Sequence, residues 1–388
     1  MRVSVNISPE ILKWVLFEIQ NRAISDDTIE NIQAWIDGTK EPTFNQIEKI
    51  SKATGVPIGY FFLQTPPKED KSLIEFRTID SVDLENPSRN LMDTMHEMGQ
   101  IQDWIRNYLI SENAAKLSFV GACSTQLDSI AFAKQVRETL GIESDWYIKV
   151  RDNPFNYFRK AISNAGVVVM MSGIVGNNTH RSLNIDEFRA FAVVDDYAPL
   201  IFINAKDSQN GRLFSLLHEF AHICIGQNSL FNDRYSTNTS IKKAEIICNA
   251  VAAELLVPND AFVKEWKSFD TIEDCEEKVK RVANRFNCSL TVVARKAFDS
   301  KFISYNEYSS IARKAIDFYN EAQKKKKETN TGGNFYNTAA SRVDQRFFYM
   351  LLGSVQSGKT LYSDAFRLTN TNRSTFASLA EKVGGGLN

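Results

Sequence analysis

The sequence predicts an α+β fold in which a small twisted sheet packs on a pair of helices, with all-helical modules on both sides. Three observations carry this expectation. Short β-branched runs cluster between residues 166 and 204, and apolar residues recur at helical spacing almost everywhere else. The helix predicted after the strands also holds polar residues that a plain core helix would not.

From the N-terminus, Ile11, Leu12, Val15, Leu16 and Ile19 form one apolar helical stripe. A second helix is predicted from Asp26 to Ile36, stopping near Gly38. A third spans Thr43 to Thr54, with Phe44, Ile47 and Ile50 on one face and Gly55 where a C-cap belongs. The charged, stiff run Pro66-Pro67-Lys68-Glu69-Asp70 closes this module at about residue 67. Residues 68–160 read as a helical connecting region. There Met92, Met95, Met98, Ile101, Trp104 and Ile105, and later Phe132, Val136 and Leu140, are helix-packing residues, and His96 a helix-surface residue. Strands are predicted at 166–171, 188–194 and 200–204, the last two joined by Asp195-Asp196-Tyr197. A helix then runs from Gly211 through Ile225 and ends at Gly226. Another covers Ile241 to Leu256 and stops before Pro258. Residues 161–262 make the core, 263–325 a further helical region, and 326–388 a polar linker with a small helical unit.

Composition excludes several classes. Lys plus Arg number 46 against 47 Asp plus Glu, so no overall basic field draws the chain to nucleic acid. No apolar run reaches the roughly 20 residues of a membrane span, and the N-terminus lacks the pattern of a signal peptide. Five cysteines without a C-x-x-C pair argue against a disulfide scaffold. A cytoplasmic, multi-domain protein with no membrane partner is expected.

The chemistry sits in His218-Glu219-Phe220-Ala221-His222. Residues at i and i+4 share a helix face, so both imidazoles can reach one metal ion, and Glu219 is placed to act as a general base. This is the H-E-x-x-H pattern of zinc peptidases. The apolar flanks Leu213, Phe214, Leu216, Leu217, Ile223 and Ile225 would bury both histidines, which then require a partner. A third ligand should come from the next helix, where Glu245 and Glu254 compete. Nine residues, or about two and a half turns, separate them, so both cannot serve. Spacing leaves that choice open. Cys224 and Cys248 read as core packing.

These residues resemble a family. Phe214 through His222, the strand Pro199 to Asn204 before it, and Glu245-Ile246-Ile247-Cys248-Asn249 with Ala252 through Pro258 after it resemble the ImmA/IrrE metallopeptidases. The resemblance implies a zincin-like core, Zn2+ held by His218, His222 and Glu245, and Glu219 as catalytic base, with Glu254 left to helix packing. It also implies an endopeptidase acting on a repressor- or antitoxin-type protein in a stress or mobile-element response. The alternative is a DNA-binding regulator, or an antitoxin-like protein, whose metal is structural or sensory. His180, Tyr197 and Tyr235 are the candidates for stabilising a transition state.

The ends add weaker signals. Trp35 to Gly38, Glu41 to Thr43, Gln46-Ile47 and Pro57 to Leu63 resemble the second half of a Cro/repressor-type (XRE-like) helix-turn-helix. The chain before Trp35 is too short for the usual full pair of helices. Residues 1–65 carry six basic side chains against eight acidic ones, a poor footprint for phosphates. Operator DNA and a docked protein are therefore both carried as partners of this module. A second helix-turn-helix-like stretch, Val279 to Phe298, bears Lys280, Arg281, Arg285, Arg295 and Lys296. Residues Gly353 to Thr360 spell a phosphate-loop motif, but only 28 residues follow it. No nucleotide is expected, because the fold that such a loop serves cannot be completed.

Overall fold

The computed structural model describes residues 4–19, 25–54, 56, 58–66, 87–150, 152–231, 242–328 and 341–384. Gly55, Pro57, residues 67–70, Tyr235 and most of the predicted linker lie outside the described residues.

The N-terminal module comprises α1 (Pro9–Ile19), α2 (Asp26–Ile36), α3 (Phe44–Thr54) and a 3-10 turn at Ile58–Phe62. Ile11, Leu12, Val15, Ile32, Trp35, Ile47 and Phe61 form its own apolar core. Phe44 departs from expectation. It is the first residue of α3, beyond the reach of that core, and is 49% exposed; its ring stacks on Phe62 at 6.2 Å.

The centre of the molecule is a four-stranded sheet of β1 (Val168–Ser172), β2 (Ala190–Val193), β3 (Leu200–Asn204) and β4 (Ser229–Phe231), in the order β1-β3-β2-β4. β1 runs parallel to β3, with Val168 opposite Leu200. β2 is antiparallel to both β3 and β4. The second strand starts at Ala190 and not at Phe188, because Asn204 intervenes. Its backbone N–H donates to Arg189 O at 2.8 Å and its side-chain amide to Phe188 O at 3.1 Å.

Both faces of the sheet are covered, which is why its strands read as continuous apolar runs. Val169, Met171, Ala190, Ala192, Ile201 and Ile203 face α5 (Ser129–Leu140), α7 (Pro154–Ala165), α8 (Gln209–Ile225) and α9 (Lys242–Leu256) in one core. A four-residue helix, α6 (Trp146–Lys149), wedges in Trp146, whose indole N–H donates to Leu255 O at 2.9 Å. Then α10 (Asn259–Ser268), α11 (Cys275–Phe286), α12 (Leu290–Asp299) and α13 (Tyr305–Glu328) extend the same core.

Val168, Met170, Phe191, Val193, Leu200 and Phe202 point the other way. They meet α4 (Arg89–Ser111) and three C-terminal helices, α14 (Gln345–Gln356), α15 (Tyr362–Leu368) and α16 (Arg373–Gly384). The C-terminal unit is latched to β1 by polar groups. Arg159 donates to Val169 O at 2.8 Å, Ser341 O at 2.7 Å and Val343 O at 3.2 Å. Asp344 caps α14 through Phe347 N–H and also accepts from Val169 N–H at 3.2 Å. The helices read as connective, and the small C-terminal unit, thus share a core with the sheet.

The phosphate-loop letters fall elsewhere than between a strand and a helix. Gly353 lies inside α14, Lys359 Nζ bonds to a Glu112 carboxylate oxygen, and Thr360 Oγ1 pairs with Ser354 Oγ at 2.7 Å. Among the described residues, no single helix is long and apolar enough to cross a membrane.

Candidate metal centre

The site is built on α8. Ser208 caps this helix by accepting from Gly211 N–H at 2.9 Å, and Gly226 ends it with φ +81°. From Ser215 to Cys224 every residue is buried, because α8 is sandwiched between the sheet and α9. His218 and Glu219 are 0% exposed and His222 is 2% exposed. Such a helix tolerates polar side chains only where they meet others.

They meet Glu245, from the first turn of α9. Its two carboxylate oxygens lie 3.2 Å from His218 Nε2 and 3.1 Å from His222 Nε2, and those two nitrogens are 3.0 Å apart. The ligand atoms of all three residues fall within 4.8 Å of one another. One turn further along α9, Asn249 Oδ1 lies 3.0 Å from His218 Nδ1. A hydrogen on Nδ1 donated to that oxygen leaves the Nε2 lone pair facing the cluster, as metal-ligating histidines are commonly oriented.

Burial holds the His218 imidazole below its ordinary pKa, against the opposing pull of Glu245. Burial also disfavours charge on His222, but the Cys248 thiol and the Glu245 carboxylate outweigh it and hold that pKa well above the ordinary value. For Glu245, burial is outweighed by the two imidazoles, which hold it well below the usual carboxylate range. The carboxylate and the two imidazoles thus favour positive charge held between them, which a cation can supply. Two imidazole nitrogens and a carboxylate oxygen, with the Glu245 side chain 33% exposed, fit a three-ligand centre with an open side.

Glu219 is held at the sheet edge, where Ser229 Oγ donates to its Oε2. Ser229 opens β4, which turns back from Gly226 to pair with β2.

The other predicted residues lie apart. Glu254 accepts from Asn259 N–H at 2.9 Å and pairs with Lys296 Nζ, both side chains nearly buried, so it staples α9 to α10 and α12. Cys224 and Cys248 are buried in the core. His180 is exposed in the loop between β1 and β2. Tyr197 packs against the opposite face of the sheet, under Lys116. Neither belongs to the cluster.

Two residues with evident roles were missed. Asn249 stands four residues after Glu245, so helical spacing could have placed it on the ligand face. Ser229 lies in a three-residue strand, too short for any periodic signal.

An α+β core flanked by helical segments, with two histidines one turn apart facing a carboxylate from the next helix, defines a zincin-like metal-site domain. Residues 163–298 match the family described as the IrrE N-terminal-like domain, Peptidase_M78. The chain thus contains an IrrE-like domain spanning β1 to α12, consistent with the ImmA/IrrE family. Residues 343–382, the C-terminal helical unit, match a domain of unknown function, DUF8813. None of the curated proteins compared with the chain is significantly similar to it.

Proposed function

We propose that this chain is a zinc-dependent endopeptidase that cleaves a regulatory protein. The observation that carries the reading is the convergence of His218 Nε2, His222 Nε2 and a Glu245 oxygen within 4.8 Å, inside an IrrE-like domain. When bound there, zinc would supply Lewis-acid polarisation of the scissile carbonyl and acidify water. The residues supply the rest. Asn249 fixes the His218 tautomer, and the two imidazoles and Glu245 would hold the cation. Glu219, oriented by Ser229, accepts the proton of the attacking water and delivers it to the leaving amine.

The substrate we infer is a repressor or antitoxin-type protein, acted on in the cytoplasm during a stress or mobile-element response. The N-terminal helical module would dock that protein or an operator sequence. A second reading keeps the metal as a structural or sensory centre of a DNA-binding regulator, and the near-complete burial of both imidazoles favours it. Glu219→Gln separates the two. Under the peptidase reading the variant keeps zinc and fold while cleavage of co-expressed neighbouring proteins falls by several orders of magnitude. If Glu219→Gln behaves as the parent and only His218→Ala fails, proteolysis is not the function.

A further inference from the structure

Beyond the metal centre, three cysteines run from the surface toward it. Cys123 is half-buried, with its thiol donating to Gln135 Oε1 at 3.2 Å. Cys224 is its buried neighbour near the end of α8, and Cys248 follows, beside His222.

The first two are held together by the backbone. Residues 121–123 lie along the last turn of α8. There Gly121 N–H donates to Ile223 O at 3.2 Å and Cys123 N–H donates to Cys224 O at 2.8 Å. Ile223 O also accepts from Gly226 N–H at 3.0 Å, so the segment adds its bonds to a helix end that is already capped. The approach is close enough that a Cβ at Gly226 would lie 2.9 Å from Gly121 Cα. A direct N–H to O=C bond between Cys123 and Cys224 keeps their α-carbons within the separation a disulfide spans. Cys123 is the half-buried member of the pair and Cys224 the buried one, so a hydroperoxide arriving from solvent meets the Cys123 sulfur first. Cys275, also half-buried, is a natural comparator. Burial, then the carboxylates of Glu307 and Asp274, push its thiol up to about 11.

We propose that Cys123 and Cys224 form a reversible, hydroperoxide-driven disulfide site, with Cys123 as the attacking thiol and Cys224 as the resolving one. The Cys123 thiolate attacks the peroxide O–O bond and becomes a sulfenic acid; the other oxygen leaves as water, or as alcohol, after taking up a proton. Cys224 sulfur then attacks the sulfenic sulfur, and the S–O oxygen leaves as water, carrying the Cys224 proton with its own. Two thiols are oxidised and one peroxide is reduced. The bond staples the 117–123 segment, itself anchored by Leu117 N–H to Asp196 O, onto α8 two residues beyond His222. Oxidation would thereby stiffen the helix that carries the metal ligands.

The test uses the full chain, reduced and then exposed to hydrogen peroxide at equimolar and tenfold amounts. Thiols are then alkylated under denaturing conditions and counted by intact mass and peptide mapping. Of the five thiols, two should be lost together, in a peptide pair linking Cys123 to Cys224, and dithiothreitol should restore both. Cys275→Ser should lose the same pair, and Cys123→Ser should lose none to a disulfide. A linkage between any other two cysteines overturns the proposal. So does oxidation of Cys123 that stops at sulfinic acid without a linked pair, or loss of two thiols from Cys123→Ser.

Discussion

Replacing Asn249 with alanine removes the acceptor that orients His218. That imidazole is 0% exposed, so solvent does not replace the lost oxygen, and the hydrogen bond in question spans 3.0 Å. Removing one partner of a buried hydrogen bond costs about 1–3 kcal/mol. The cost falls on metal affinity, because Asn249 selects the tautomer whose Nε2 lone pair faces Glu245 and His222. With about 1.4 kcal/mol per tenfold change in a binding constant, this corresponds to roughly 10- to 100-fold weaker zinc, in line with the usual effect of losing such a partner. Asn249→Asp keeps an acceptor at the same place and should retain most of the affinity. Competition against a chromophoric chelator measures both variants. Affinity within twofold of the parent for Asn249→Ala, or equal losses for the alanine and aspartate variants, would refute the argument.

Other consequences follow from the same geometry. Glu254→Ala strands the Lys296 ammonium in a largely buried site; it should cost on the order of 3–5 kcal/mol of stability, read by denaturant melts, while zinc stoichiometry stays that of the parent. Loss of zinc in that variant at temperatures where it remains folded would mean that the wrong carboxylate has been assigned. Burial holds the Glu97 carboxyl above its ordinary range, against hydrogen bonds from Asn370 and Gly176. Its contribution to stability is therefore full below the unfolded pKa of about 4.3 and is lost as pH rises through the raised folded value. Glu97→Gln should flatten the melting-temperature profile as pH rises above about 4, and a variant profile parallel to the parent's would contradict it.

Much of the centre was legible because its chemistry is local. His218, Glu219 and His222 lie within one turn and a half of helix, and their apolar flanks announce burial. Glu245 was not legible from spacing alone. Two carboxylates on one helix differ only in which neighbours they meet, and resemblance, not geometry, separated them before the structure did. Lys296, 42 residues after Glu254, supplies that difference. The same limit applies to Ser229, whose role arises only when β4 folds back beside α8, and to Tyr197, near the site in sequence but on the far side of the sheet. Phe44 was misplaced because helical periodicity says which residues share a face, not where along the helix the core ends.

The sheet itself argues that the domain carrying His218, His222 and Glu245 does not stand alone. Alternation along β1, β2 and β3 sends Val169, Ala192 and Ile201 toward the helices that carry the ligands, and Val168, Phe191, Phe202 and their neighbours toward α4 and the C-terminal unit. An IrrE-like segment limited to residues 163–298 would leave that second face in water, a contiguous apolar patch of the kind that drives association. Asp344 and Arg159 also tie the unit directly to the backbone of β1, the strand parallel to β3. Ending the chain after residue 328 should therefore yield a protein that self-associates, with sheet and α8 less protected in hydrogen exchange. Size-exclusion chromatography and amide exchange read both effects. A truncated chain that stays monodisperse, with unchanged protection at His218 and His222, would show that the C-terminal unit merely covers a face that is stable without it.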